Sequence, residues 1–103
     1  MPYIVFTTTD NVSEAEWIGE RILDERLGGC VNIVPKIKSI FRWEGKIEKT
    51  EETLLIIKTT DEKLDELETR IGEIHSYENP EFLAISVDKG EEDYLEWLRE
   101  SVK

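Results

Sequence analysis

The chain holds one cysteine and one histidine, Cys30 and His75, the two side chains best suited to soft metal ligation or nucleophilic chemistry. Cys30 directly follows Gly29 at the start of a predicted strand, where a thiol serves either as a small buried core group or as a soft ligand. It has no Cys-x-x-Cys companion, which favours the core role. His75 falls at the end of a predicted helix, on the angular sector of Leu64 and Ile71, and there capping or packing outweighs ligation. Its acidic neighbours Glu73, Glu78 and Glu81 offer a mixed nitrogen and oxygen site for a divalent cation, shared with a second subunit because one chain cannot complete a soft site. The metal candidates are therefore Cys30, His75 and Glu78.

Catalytic groups are harder to find. A Cys30–His75 pair would need hydrogen-bond contact and a third orienting group, which spacing alone does not supply. After the first strand, Thr7-Thr8-Thr9-Asp10 offers hydroxyls but no glycine for a phosphate loop and no arginine for an acylphosphatase-like anion site. The sequence reads as a binding protein and not an enzyme. Lys36, Lys38, Arg42, Lys46 and Lys49 lie close together against only Glu44 and Glu48, a local cationic stretch suited to docking on an acidic neighbouring subunit.

Those residues must be carried by a small, acidic domain. At 103 residues and 39% hydrophobic, the chain is the length of a single domain, 1–103, with one core. With 13 Lys and Arg against 24 Asp and Glu, its charge of −11 would repel a phosphate backbone, which argues against nucleic acid. Residues 51–103 hold sixteen acids against six cations, so the second half carries nearly all of the excess. No segment approaches the roughly 20 apolar residues that span a bilayer, and the first residues lack a cationic leader, so a cytoplasmic, unprocessed chain with no membrane partner is expected. A single cysteine suits a reducing compartment, and the high charge with no glutamine resembles proteins from hot environments, so a thermostable protein is expected.

Tyr3 to Thr8 reads as a buried strand. Ser13 with Glu16 predicts a capping box, and Val12 with Trp17 a hydrophobic staple that accounts for Trp17 lying off the Ala15, Ile18 and Ile22 stripe. Gly28-Gly29 is expected to cap the helix. Cys30 to Thr60 then reads as a long hairpin reversing at Glu44-Gly45. Val31, Ile33, Ile37, Phe41 and Trp43 share one parity, with a bulge or bend expected near Pro35. Leu64, Leu67, Ile71 and Ile74 mark a second helix, capped by Thr60 or Asp61 and ending near His75-Ser76. A last core strand, Phe82 to Val87, and a final helix after Gly90 complete the chain. The order β-α-β-β-α-β with an added C-terminal helix is the split βαβ pattern of an α+β, ferredoxin-like domain. Its helices would cover one sheet face only, and the apolar remainder predicts oligomerisation.

The words Cys30-Val31-Asn32-Ile33, Arg42-Trp43-Glu44-Gly45-Lys46-Ile47, Lys58-Thr59, His75-Ser76-Tyr77-Glu78-Asn79-Pro80-Glu81 and Tyr94-Leu95-Glu96-Trp97-Leu98 occur in one order along almost the whole chain. Together they resemble the CutA divalent-cation-tolerance family. The resemblance implies a homotrimer in which long hairpins extend neighbouring sheets, and weak binding of copper or another divalent cation. It also implies roles for single residues. Trp43, Glu44 and Lys46 would form a hairpin tip at a subunit contact, and Tyr77, Glu78 and Pro80 a loop facing a cleft between subunits. An adaptor that binds a small metabolite in that cleft is the competing expectation. Ser76 stands where the family usually has proline, and Gly28-Gly29 where it has a small alanine pair.

Overall fold

The computed structural model describes residues 1–103. In chain order its elements are β1 (Pro2–Thr9), α1 (Val12–Asp24), β2 (Cys30–Trp43), β3 (Lys46–Thr60), α2 (Asp61–Ile74), β4 (Leu83–Ser86) and α3 (Glu92–Ser101). The four strands form one antiparallel sheet in the order β2-β3-β1-β4. The protein is α+β, as its residue pattern predicts.

Alternation along the strands decides which face is dry. Val5 of β1 lies opposite Ile57 of β3, and Thr7 opposite Leu55, so all four point to one face. There they meet Ala15, Ile18 and Ile22 of α1 and Leu67 and Ile71 of α2, forming a core with Leu27. The other face has no such cover over Ile4 and Phe6 of β1 or their partners Ile85 and Leu83 of β4. Leu83 and Ile85 are 59% and 56% exposed. The expected last core strand is thus a four-residue edge strand exposed along its length, and it is Phe82, just before it, that packs on the core.

Several local expectations change. Helix α1 begins two residues earlier than a Ser13 cap would allow: Asn11 is the N-cap, and its Oδ1 accepts the Glu14 backbone N–H at 2.8 Å. Trp17 remains half exposed, so no staple buries it. At the other end the helix closes before the glycines. Leu27 N–H donates to Ile22 O at 2.9 Å and Arg26 N–H to Leu23 O at 3.1 Å, with Arg26 at φ 58°, which is a Schellman motif. Gly29 has a different use, since a Cβ there would lie 2.7 Å from Leu98 Cδ1; its bare backbone lets α3 come close.

The hairpin turns through Glu44 at φ 50° and Gly45 at φ 78°, the paired positive angles of a two-residue type I′ turn. The expected bulge lies between Val34 and Ile37, where Pro35 and Lys36 replace one ladder position and Lys36 takes φ 59°. This extra residue reverses the parity. Ile37, Phe41 and Trp43 therefore share a face with Val34 and with Leu54, Glu52 and Glu48 of β3, and not with Val31 and Ile33 as the uninterrupted alternation predicts.

Candidate functional site

Helix α2 ends by delivering His75 as its C-cap residue, and the imidazole side chain is fully buried. Both ring nitrogens are used. Nδ1 accepts the Tyr77 backbone N–H at 3.0 Å, and Nε2 lies 2.7 Å from the carbonyl oxygen of Thr8, to which it must donate. Glu14 completes the anchor: its two carboxylate oxygens accept the backbone N–H and hydroxyl of Ser76, each at 2.9 Å. The loop after α2 is thereby tied to the end of β1 and the first turn of α1.

This tie positions Tyr77. Its hydroxyl donates to Glu52 Oε2 at 2.8 Å, and its ring lies 4.7 Å from that of His75. Burial, and then the hydrogen bond and charge of Glu52, push the Tyr77 phenol well above its usual range, so it stays a donor. Glu81, farther along the same loop, is also pushed upward, by burial first and by the nearby Glu52 charge second. Glu52 itself is 9% exposed and comes from the open face of β3, opposite Ile37.

Together the hairpin and this loop bound a solvent-open groove of about 1000 Å³. Its walls combine three aromatic side chains, Phe41, Trp43 and Tyr77, with four carboxylates, Glu48, Glu52, Glu78 and Glu81. Lys49 is the one cationic side chain lining it. Aromatic faces set beside placed polar and charged groups in a concave surface are the chemistry of a ligand cleft.

The predicted site residues divide between three places. Trp43, Tyr77 and Glu78 line the groove. Glu44 and Lys46 lie at the hairpin tip beyond it, and Pro80 is half-buried within the loop without lining it. Cys30 lies opposite Lys58, whereas Thr8, the partner of His75, lies opposite Leu54. Four residues of β3 thus separate the two positions, on the order of 13 Å along a strand. Cys30 and His75 are not brought together. No three His, Cys, Asp or Glu side chains converge as a metal-holding group, and His75 has no free nitrogen to contribute. Glu73 turns instead to Arg70.

Reading the sequence alone missed Glu52 and Glu14. Glu52 carries little signal, because it sits in the polar stretch Glu48 to Thr53 that precedes the apolar run Leu54 to Ile57. Glu14 carries none, since one acid in the first turn of a helix is ordinary.

Comparison with known proteins agrees with this structure. The family described as CutA1 divalent ion tolerance protein matches residues 3–101. A divalent-cation tolerance protein CutA from Thermus thermophilus is 39% identical over 101 residues, covering 98% of each chain. One from Archaeoglobus fulgidus is 41% identical over 103 residues and covers all of both. The solved Thermus thermophilus structure superimposes with a TM-score of 0.97 at 38% identity over the full length of both chains. With family and fold in agreement from end to end, the chain belongs to the CutA divalent-cation tolerance family.

Proposed function

We propose that the protein is a non-catalytic homotrimer of ferredoxin-like subunits, which buries its open sheet face by self-association and meets copper or other divalent cations weakly. The uncovered apolar face of the sheet carries this reading. Leu83 and Ile85 on β4 stand more than half exposed beside Ile4 and Phe6, and a patch of this kind on a soluble domain marks an association surface. The cationic hairpin and the acidic second half of the chain supply complementary charge for such contacts.

Weak cation binding follows from the donors. Hard divalent ions take several converging oxygens, and copper favours imidazole and thiolate. Here His75 is committed, Cys30 is distant, and the carboxylates are spread along a groove. Such ions are expected to bind singly to groove carboxylates such as Glu78, not in a chelating site. Copper titration of the reduced protein by calorimetry tests this: binding should be shallow, and unchanged in Cys30→Ala. Saturable binding at one ion per subunit that is lost in Cys30→Ala or His75→Ala would overturn it.

The groove favours a second reading, that a small molecule occupies a cleft completed by assembly and that metal tolerance is its indirect consequence. No helix is long and apolar enough to cross a membrane, and the single cysteine supports a reducing, cytoplasmic setting. Fractionation of the native source, following the protein against a cytoplasmic marker, tests that location.

A further inference from the structure

Resting on the reading of the groove as a small-molecule cleft, its lining also defines the class of molecule. Four carboxylates against one ammonium make an anionic ligand such as a nucleotide or phosphate ester unfavourable. A metal ion needs three or more donors converging on one point, and these side chains do not converge. They are distributed in line instead. On the open face of the hairpin, Glu52 lies opposite Ile37, Glu48 opposite Phe41, and Trp43 opposite Lys46 at the tip, a run of six residues or about 20 Å of strand. Aromatic rings beside spaced carboxylates suit a chain whose charges are themselves spaced, since an ammonium group is attracted both to a carboxylate and to the face of an aromatic ring.

Glu52 is the independent sign that a cation belongs there. It is nine-tenths buried, one of its oxygens takes the Tyr77 hydroxyl, and no protein group donates to the other. No lysine or arginine of the chain pairs with it, and its second oxygen is left open to the groove. Burial first, and the nearby Glu52 charge second, raise the proton affinity of Glu81 beside it.

We propose that the groove between the β2–β3 hairpin and the 77–81 loop binds an organic polycation of the linear polyamine class. Glu52 is its buried anchor, Glu48, Glu78 and Glu81 receive its other ammonium groups, and Phe41 and Trp43 pack on its methylene stem. Tyr77 positions Glu52 by holding one of its oxygens and leaves the other for the ligand.

The test is calorimetric titration of the full-length protein, after its oligomeric mass is checked, with spermidine at fixed ionic strength. Magnesium chloride, ATP and a linear alkanediol serve as comparison probes. Spermidine should bind saturably, and at least about tenfold more weakly in Glu52→Gln, in which the amide oxygen can still accept the Tyr77 hydroxyl. Trp43→Leu should weaken it too, and Glu62→Gln on the far helix should not. If Glu52→Gln does not fold, as judged by circular dichroism, Glu81→Gln provides the same comparison. Spermidine heats no larger than those of sodium chloride, or an affinity indifferent to these groove variants, would overturn the proposal. ATP or alkanediol binding lost in Trp43→Leu would overturn the polycation class while leaving the small-molecule cleft standing. Magnesium binding as strong and as sensitive to Glu52→Gln would return the groove to metal ions, and silence from every probe would overturn both readings.

Discussion

At the scale of single residues, the decisive fact is that His75 is spent on structure. Its Nδ1 holds the Tyr77 N–H and its Nε2 the Thr8 carbonyl, in a side chain with no exposed surface. His75→Ala would strand two backbone groups and open a cavity. We expect a loss of about 2–3 kcal/mol in denaturant unfolding at fixed subunit concentration, with copper binding no weaker than in the wild type. A stability loss accompanied by loss of saturable copper binding would contradict the assignment. The residue types favoured a capping or packing role for His75 but left ligation open, because a lone imidazole beside acids is chemically ambiguous. What resolves the ambiguity is a backbone carbonyl from a strand 67 positions away, which no local pattern reveals. Cys30 is different: its separation from His75 follows from strand register, and register depends on where a bulge falls.

Among the elements, helix and strand identities were legible because long apolar periodicities dominate them. The Leu64, Leu67, Ile71 and Ile74 stripe is the clearest case, and it forms α2 with Leu67 and Ile71 buried. Ends were less legible because several residues compete for each cap. Asn11 displaces Ser13 at the start of α1, and Arg26 adopts the left-handed angle that the neighbouring glycines seemed placed to supply. Arg26 at φ 58° has the conformation in which a Cβ is unfavourable, so Arg26→Gly should stabilise the protein by about 0.5–1 kcal/mol, read as a higher denaturation midpoint with an unchanged slope. An unchanged or lower midpoint would count against the Schellman assignment.

The pairing of α1 with α2 yields an expectation in pH. Arg70 makes two bonds to Glu25, from Nε at 2.8 Å and from Nη2 at 2.9 Å. The Arg70 hydrogen bonds hold the Glu25 carboxyl below its ordinary range. The unfolded chain therefore takes up this proton at higher pH than the folded one, and the contribution is present above the ordinary carboxylate range. It is lost as pH falls through the lowered value. In Arg70→Met the stability deficit relative to wild type should shrink as the pH falls through that window. A deficit constant with pH would show that packing, and not the ion pair, links the helices.

For the whole molecule, the sequence made the layer arrangement plain, with both main helices on one face and an apolar remainder on the other, because alternation in β1 and β3 is strict where it meets the core. The family words pointed to Tyr77 and Glu78 as cleft residues, but how the groove is built was not legible. It is formed by a loop anchored through Glu14 and His75 and by a strand whose parity reverses at Pro35 and Lys36. The same reversal places Phe41, Trp43, Glu48 and Glu52 together on the open side. The exposed apolar residues of β4 and the aromatic and acidic lining of the groove therefore share the sheet face that the subunit's own helices leave bare.

Sedimentation equilibrium of the reduced protein, alongside an Ile85→Lys variant on that face, tests this most directly. The account predicts three times the 12.0 kDa subunit mass for the wild type, and a shift toward a folded monomer for the variant. A wild-type protein that stays monomeric at micromolar concentration, or a trimer indifferent to a charge at position 85, would contradict it.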